Sequence, residues 1–168
     1  MNSEVIEKAR LAKEASYKLA NLSTEIKNKA LDEMAKAISS AARDIIEANN
    51  VDIESAYKKN ISKALVDRLS IDGKRIDGMV ESLKIVRNLH DPIGRIIAKW
   101  TRPNGLKIAK MRVPLGVIGI VYEARPNVTV DSAALCLKAG NAVVLRGGSD
   151  AINSNIIQIG RASCRERV

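Results

Sequence analysis

Two short stretches of this chain carry residue types suited to chemistry on a small anionic molecule. The first is Glu123-Ala124-Arg125-Pro126-Asn127. An arginine there can grip a carboxylate or a phosphate. Asn127, at the start of an apolar periodic run, has two readings that the sequence leaves open. It caps the coming helix, or it offers its amide to a developing negative charge. The second stretch is Arg146-Gly147-Gly148-Ser149. A guanidinium forms bidentate pairs with phosphate, and glycines let a backbone approach a ligand closely. In nucleotide-binding sheets an acid at the exit of the second strand favours a free ribose 2′-hydroxyl, and an arginine favours a 2′-phosphate. Asp150 counts against that reading unless it turns away. The plain alternative for Arg146 is a surface charge at a strand end.

Other chemistry-bearing residues are sparse. Cys136 lies among Leu135 and Leu137 and reads as a buried structural thiol, because reactive thiolates need an electropositive, partly exposed setting. His90 is the only histidine, and no metal site can be assembled around it. The G-x-G-x-x-G dinucleotide fingerprint is absent.

The elements that must position these residues follow from periodicity. Residues 115–122 form an apolar run broken only by glycine, the pattern of a strand buried on both faces of a parallel sheet. Residues 127–139 place Val128, Val130, Ala133, Ala134 and Leu137 at helical spacing, with Gly140 as a stop signal. Residues 142–145 are a second strand. Together they predict a βαβ crossover. Upstream, residues 3–22 predict a first helix. A long second helix carries Ile26, Ala30, Met34, Ala37, Ile38, Ala41 and Ile45 on one stripe and runs to Asn49-Asn50, with Ser23 as its N-cap. Residues 51–59 and 62–69 are shorter helical pieces. Asp72 caps another helix whose buried stripe is Ile76, Met79, Val80, Leu83 and Val86. Residues 94–114 alternate around a Pro103-Asn104-Gly105 turn, the mark of a two-stranded ribbon. Such a ribbon is marginal alone and calls for a covering surface, with a partner subunit the attractive one.

Composition sets outer limits. Hydrophobic residues make up 46% of the 168, enough for a core, and aromatics only 2%, so that core is aliphatic. No stretch approaches the roughly 20 apolar residues of a membrane helix, and no signal-peptide core opens the chain. A soluble cytoplasmic protein without a membrane partner is the expectation. The net charge of +9 raises nucleic acid as a partner. Against it, the lysines and arginines are spread at solvent-facing intervals, with no basic block interleaved with aromatics.

The last ten residues, 159–168 (IGRASCRERV), break the pattern. Their codons back-translate to a sequencing adapter read in frame, so they are expected to be a scar. Three arginines and one glutamate leave with them, which takes the charge from +9 to +7. Cys164 leaves too, and two cysteines make no disulfide framework in any case.

The stretch VPLGVIGIVYEARPNVTVDSAALCLKAGNAVVLRGGSDAINSN, above all YEARPNVTVD and GNAVVLRGGS, closely resembles the γ-glutamyl phosphate reductase family of the aldehyde dehydrogenase superfamily. The resemblance runs from Met1 to about Gln158 and covers less than half of a typical member. It implies an α/β fold: an N-terminal helical layer in residues 1–93, an oligomerisation ribbon in 94–114, and the first βαβ of an NADP-binding domain in 115–158. It implies NADPH-dependent reduction of L-glutamyl 5-phosphate to glutamate 5-semialdehyde with release of phosphate, in proline biosynthesis, by a homo-oligomer. The family works through a cysteine thiolate that neither Cys136 nor Cys164 matches. By the same resemblance Arg146, Gly147, Gly148 and Ser149 hold the cofactor, Asn127 is the oxyanion asparagine, and Arg125 is a substrate contact. Two other readings stay open: another acyl-phosphate or acyl-thioester reductase of the superfamily, and a non-catalytic nucleotide-binding or oligomerising fragment.

Overall fold

The computed structural model describes residues 3–123 and 125–162. Seven α-helices and four strands are found among them. Helix α1 (Ser3–Leu19) precedes α2 (Thr24–Ser40), whose first turn is closed by the Ser23 hydroxyl accepting from the Ile26 amide at 3.4 Å. The expected long helix is in fact two. Ala41, with φ −94° and ψ 12°, sits buried at a corner, and the chain restarts as α3 (Ala42–Lys58). Residues 51–58 therefore continue α3 and are not a separate piece.

Of the stripe expected for that helix, Met34, Ile38, Ala41 and Ile45 are buried and Ala30 and Ala37 half-buried, and only its first residue departs. Lys27, Leu31, Met34, Ala35 and Ile38 face inward, while Ile26 is 42% exposed. The exposure of Ile26 has a cause. Lys27 is almost wholly buried and pairs with Asp91, which rotates α2 so that an apolar residue is left outside. A second lysine is buried as well. Lys138 Nζ donates to Asn28 Oδ1 at 2.6 Å and to the Arg87 carbonyl at 2.7 Å. The expectation of uniformly solvent-facing lysines fails at these two positions.

Helix α4 (Lys63–Leu69) leads into α5 (Gly73–Asn88), capped by Asp72, whose Oδ1 accepts from the Arg75 amide at 2.8 Å. Helix α5 packs on α2 and on α6, burying Ile76, Met79, Leu83 and Val86. Leu31, Met34, Ile38 and Ile45 meet them from α2 and α3, and Val130 and Ala134 from α6 (Asn127–Lys138), in one aliphatic core.

Strands β1 (Ile96–Thr101) and β2 (Lys107–Met111) form an antiparallel ribbon with Trp100 opposite Ile108. Gly105, at φ 83°, turns the chain between them. Every ribbon residue is exposed except the half-buried Ile108, which is why the alternation of residue types is imperfect: neither face packs on the rest of the described chain.

Strands β3 (Val117–Val121) and β4 (Ala142–Arg146) pair in parallel, joined through α6, with Val121 opposite Arg146. Gly140, at φ 68°, ends the helix as expected. The expected burial on both faces is not met: β3 is only half-buried, and Val121 is 73% exposed. Helices α1 and α6 contact this sheet, and nothing among the described residues covers what they leave open. A 3-10 turn (Ser149–Ala151) and α7 (Ile152–Ala162) complete the chain. Helix α7 runs without a break past Gln158, so 159–162 are helical, while 163–168, with Cys164, lie outside the described residues.

Candidate functional site

The two parallel strands end side by side, and the two candidate loops leave from that common edge. Open parallel sheets bind ligands there, outside the carboxyl ends of the strands. After β3, the Arg125 amide donates to the Glu123 carbonyl at 2.8 Å, and Pro126 provides the N-cap position of α6. Asn127 is thus the first residue inside the helix and not its cap. Its amide Nδ2 donates to Asp131 Oδ2 at 3.2 Å, one turn on, and the side chain stays exposed. Of the two readings open for Asn127, capping is set aside by the backbone, and the amide remains available to a ligand.

Arg125 and Asn127 line one cleft of about 610 Å³, within the usual range of small-molecule sites. Its opposite wall comes from the end of α4, the Ser70–Asp72 linker and the first turns of α5, with Arg68, Asp72, Lys74 and Arg75. Asp131 also lines it. Sequence reasoning missed this α4–α5 wall. Its side chains look like any solvated helix face, and only the packing of α5 on α6 turns them toward Asn127.

The cofactor candidates lie outside that cleft, at the exit of β4. Arg146 is exposed and makes no ion pair among the described residues. Ser149 is exposed at the start of the 3-10 turn. Asp150 reaches the other way, to Lys59 Nζ at 3.3 Å, which removes the objection its carboxylate raised. The N-terminus of α7 is held instead by Asp52 of α3. Its carboxylate accepts from the Ser154 amide at 2.8 Å and hydroxyl at 2.7 Å, and from the Asn153 side chain at 2.8 Å.

Gly147 has a role that the sequence did not show. A Cβ there would lie 2.2 Å from Nδ2 of buried Asn155, so the glycine makes room for α7 beneath the strand exit. Gly148 meets only ordinary contacts with Glu123, the nearest at 3.4 Å. Thr129 donates its hydroxyl to Asn155 Oδ1 at 2.9 Å, which leaves Tyr122 to donate its own hydroxyl to Thr129. This chain ties the loop after β3 to the helix after β4 and fixes the two candidate sites relative to each other.

Cys136 is buried, and burial pushes its thiol up from the ordinary value, the opposite of an activated nucleophile. Among the described residues no cluster of three His, Cys, Asp or Glu side chains could hold a metal, and no helix is long and apolar enough to cross a membrane.

A helical layer, a projecting ribbon and a parallel βαβ unit with ligand candidates at its strand exits define an aldehyde-dehydrogenase-type α/β fold. The aldehyde-dehydrogenase-type protein of Bacillus subtilis superposes on it with a TM-score of 0.70 over 95% of this chain and 33% of its own, at 19% identity, a likeness of fold alone. More specifically, the chain is similar along its length to the N-terminal part of γ-glutamyl phosphate reductases. It is 57% identical over 157 residues to that of Halothermothrix orenii, which covers 94% of this chain and 38% of the relative. The crystal structure of the Thermotoga maritima γ-glutamyl phosphate reductase matches with a TM-score of 0.93 and 46% identity over 95% of this chain and 39% of that one. The chain thus spans about two-fifths of the length of these relatives. No family model matches it.

Proposed function

We propose that this chain is the N-terminal part of a cytoplasmic, homo-oligomeric reductase that converts L-glutamyl 5-phosphate to L-glutamate 5-semialdehyde and phosphate with NADPH. The observation that carries the reading is the shared cleft of Arg125 and Asn127 beyond the carboxyl end of β3, beside the β4 exit of the same parallel pair. The identity to proteins of that name supports it.

In this reading Asn127 donates its amide to the carbonyl oxygen of the acyl phosphate as negative charge builds there. The Asp131 bond holds the amide in place, so little reorganisation is needed when the charge develops. Arg125, two residues earlier, grips the leaving phosphate. The residues at the β4 exit fit a nicotinamide cofactor with a 2′-phosphate: an unpaired guanidinium, a hydroxyl, and an Asp150 carboxylate turned to Lys59. Arg146 and Ser149 hold that phosphate, and Gly147-Gly148 carry the backbone past it. When bound, NADPH supplies the hydride. The exposed apolar ribbon, with Ile96, Ile97, Trp100 and Met111, packs against another subunit.

The test is turnover in the full-length protein. Phosphate-dependent oxidation of glutamate 5-semialdehyde with NADP⁺, the reverse direction, should be measurable. Asn127→Ala should lower kcat by about 10²–10³-fold, the usual cost of one oxyanion donor. Unchanged kcat in a folded Asn127→Ala protein overturns the assignment.

A further inference from the structure

We propose that Arg68 and Lys74, on the α4–α5 wall of the cleft, bind the carboxylate at the end of the substrate remote from the reacting carbon. They would thereby set specificity for an amino-acid acyl phosphate over a simple one. This rests on the function proposed above.

The inference comes from how the charges in the cleft are used. Five charged side chains line its α4–α5 wall or reach it from α6. Three are committed within the protein. Arg75 Nη1 donates to the Asp67 carbonyl at 2.6 Å and also to the Ser70 carbonyl, so it pins the α4–α5 linker. Asp72 spends Oδ1 on the α5 cap, and Asp131 spends Oδ2 on Asn127. Arg68 and Lys74 make no hydrogen bond or ion pair among the described residues. With Arg125, the cleft is lined by four cationic side chains against two carboxylates and is positive toward a ligand.

Geometry then separates the roles. Arg125 adjoins Asn127 in the chain and belongs to the reacting end. Arg68 stands at the end of α4 and Lys74 at the start of α5, across the cleft. The first turn of α5, which carries Lys74, adds the positive end of its dipole. L-Glutamyl 5-phosphate has an anion at each end, the acyl phosphate and the α-carboxylate. A cleft with Arg125 on one wall and Arg68 and Lys74 on the other offers a cation to each of those two anions. The second oxygen of Asp72 is left to accept from the α-ammonium.

The experiment compares two aldehydes in the phosphate-dependent reverse reaction of the full-length enzyme. Glutamate 5-semialdehyde has the remote carboxylate, and butanal lacks it. Arg68→Gln and Lys74→Gln should each raise KM for the semialdehyde about tenfold, with kcat little changed. The preference for the semialdehyde over butanal in kcat/KM should fall by the same factor. Arg68→Lys should recover part of it. A melting temperature matching the parent's confirms that the variants fold. Equal losses on both aldehydes, or no loss on either, overturn the inference while leaving the reductase reading intact. An unsubstituted enzyme that oxidises neither aldehyde overturns both.

Discussion

At the scale of single residues, the free cation at the exit of β4 makes the sharpest statement. Arg146 lacks an internal partner among the described residues, and the Asp150 carboxylate is occupied by Lys59. If Arg146 faces a 2′-phosphate, Arg146→Glu sets a carboxylate against a charge that NADPH has and NADH lacks. Titration of the full-length protein should show NADPH binding weakened far more than NADH binding. Equal losses would return Arg146 to an ordinary surface charge. Asp91 makes a different kind of statement. Burial alone would raise its pKa, but bonds from Lys27, the Ile93 amide and Thr24 outweigh that and hold it below the ordinary carboxylate value. A carboxyl depressed on folding stabilises the fold fully above its unfolded value and loses that contribution as pH falls through the folded value. Asp91→Asn leaves the buried Lys27 ammonium without a counter-charge, which should cost about 3–5 kcal/mol near neutral pH. In urea titrations the gap between parent and variant should stay constant down to about pH 4 and narrow below it. A gap that widens in acid would contradict this account.

At the scale of elements, the glycine pair after β4 separates packing from ligand approach. Gly147 lies against Asn155 of α7, so Gly147→Ala forces a rigid backbone and a buried amide apart and should cost about 1–3 kcal/mol. Gly148→Ala meets only ordinary contact and should leave the melting temperature nearly unchanged. The reverse order of stabilities would show that the strand exit is misplaced. This contrast also marks where the sequence was readable. The βαβ unit, the Asp72 and Ser23 caps, the ribbon and its turn all follow from local rules of period and capping, and they stand where expected. The Ala41 corner does not, because alanine is a good helix former and only the docking of α3 against α7 selects the break. The exposure of Ile26 at the start of the α2 stripe depends on Lys27 pairing with an aspartate 64 positions away, which no local window contains. The cleft itself was half legible. Arg125 and Asn127 stand out by their place after a strand, whereas Arg68 and Lys74 gain meaning only when α5 packs on α6.

At the scale of the whole molecule, stability is unevenly distributed. The aliphatic core lies among α2, α3, α5 and α6, where Leu31, Ile38, Ile45, Leu83 and Val130 are almost wholly buried. The parallel sheet beside it has two strands, with Val121 73% exposed and Leu115, just before β3, 86% exposed. The ribbon adds Ile96, Ile97, Trp100 and Met111 to the uncovered apolar surface. Parallel strands are ordinarily covered on both faces, and exposed apolar edges recruit other chains. In relatives more than twice as long, the remaining length is available to cover these strands. The 168 residues expressed alone should therefore keep the circular-dichroism signal of the helices, bind a hydrophobic dye, and associate in sedimentation as concentration rises. They should also show no NADPH-linked turnover. The thiol of Cys136 is buried and its ionisation disfavoured, so it cannot serve as the attacking thiolate. In the proposed reading Asn127 and Arg125 would then hold an acyl phosphate with no nucleophile among the described residues to attack it. A monodisperse monomer with a sharp melt and measurable turnover would refute this, and would mean that the sheet is covered and the chemistry supplied from within these residues.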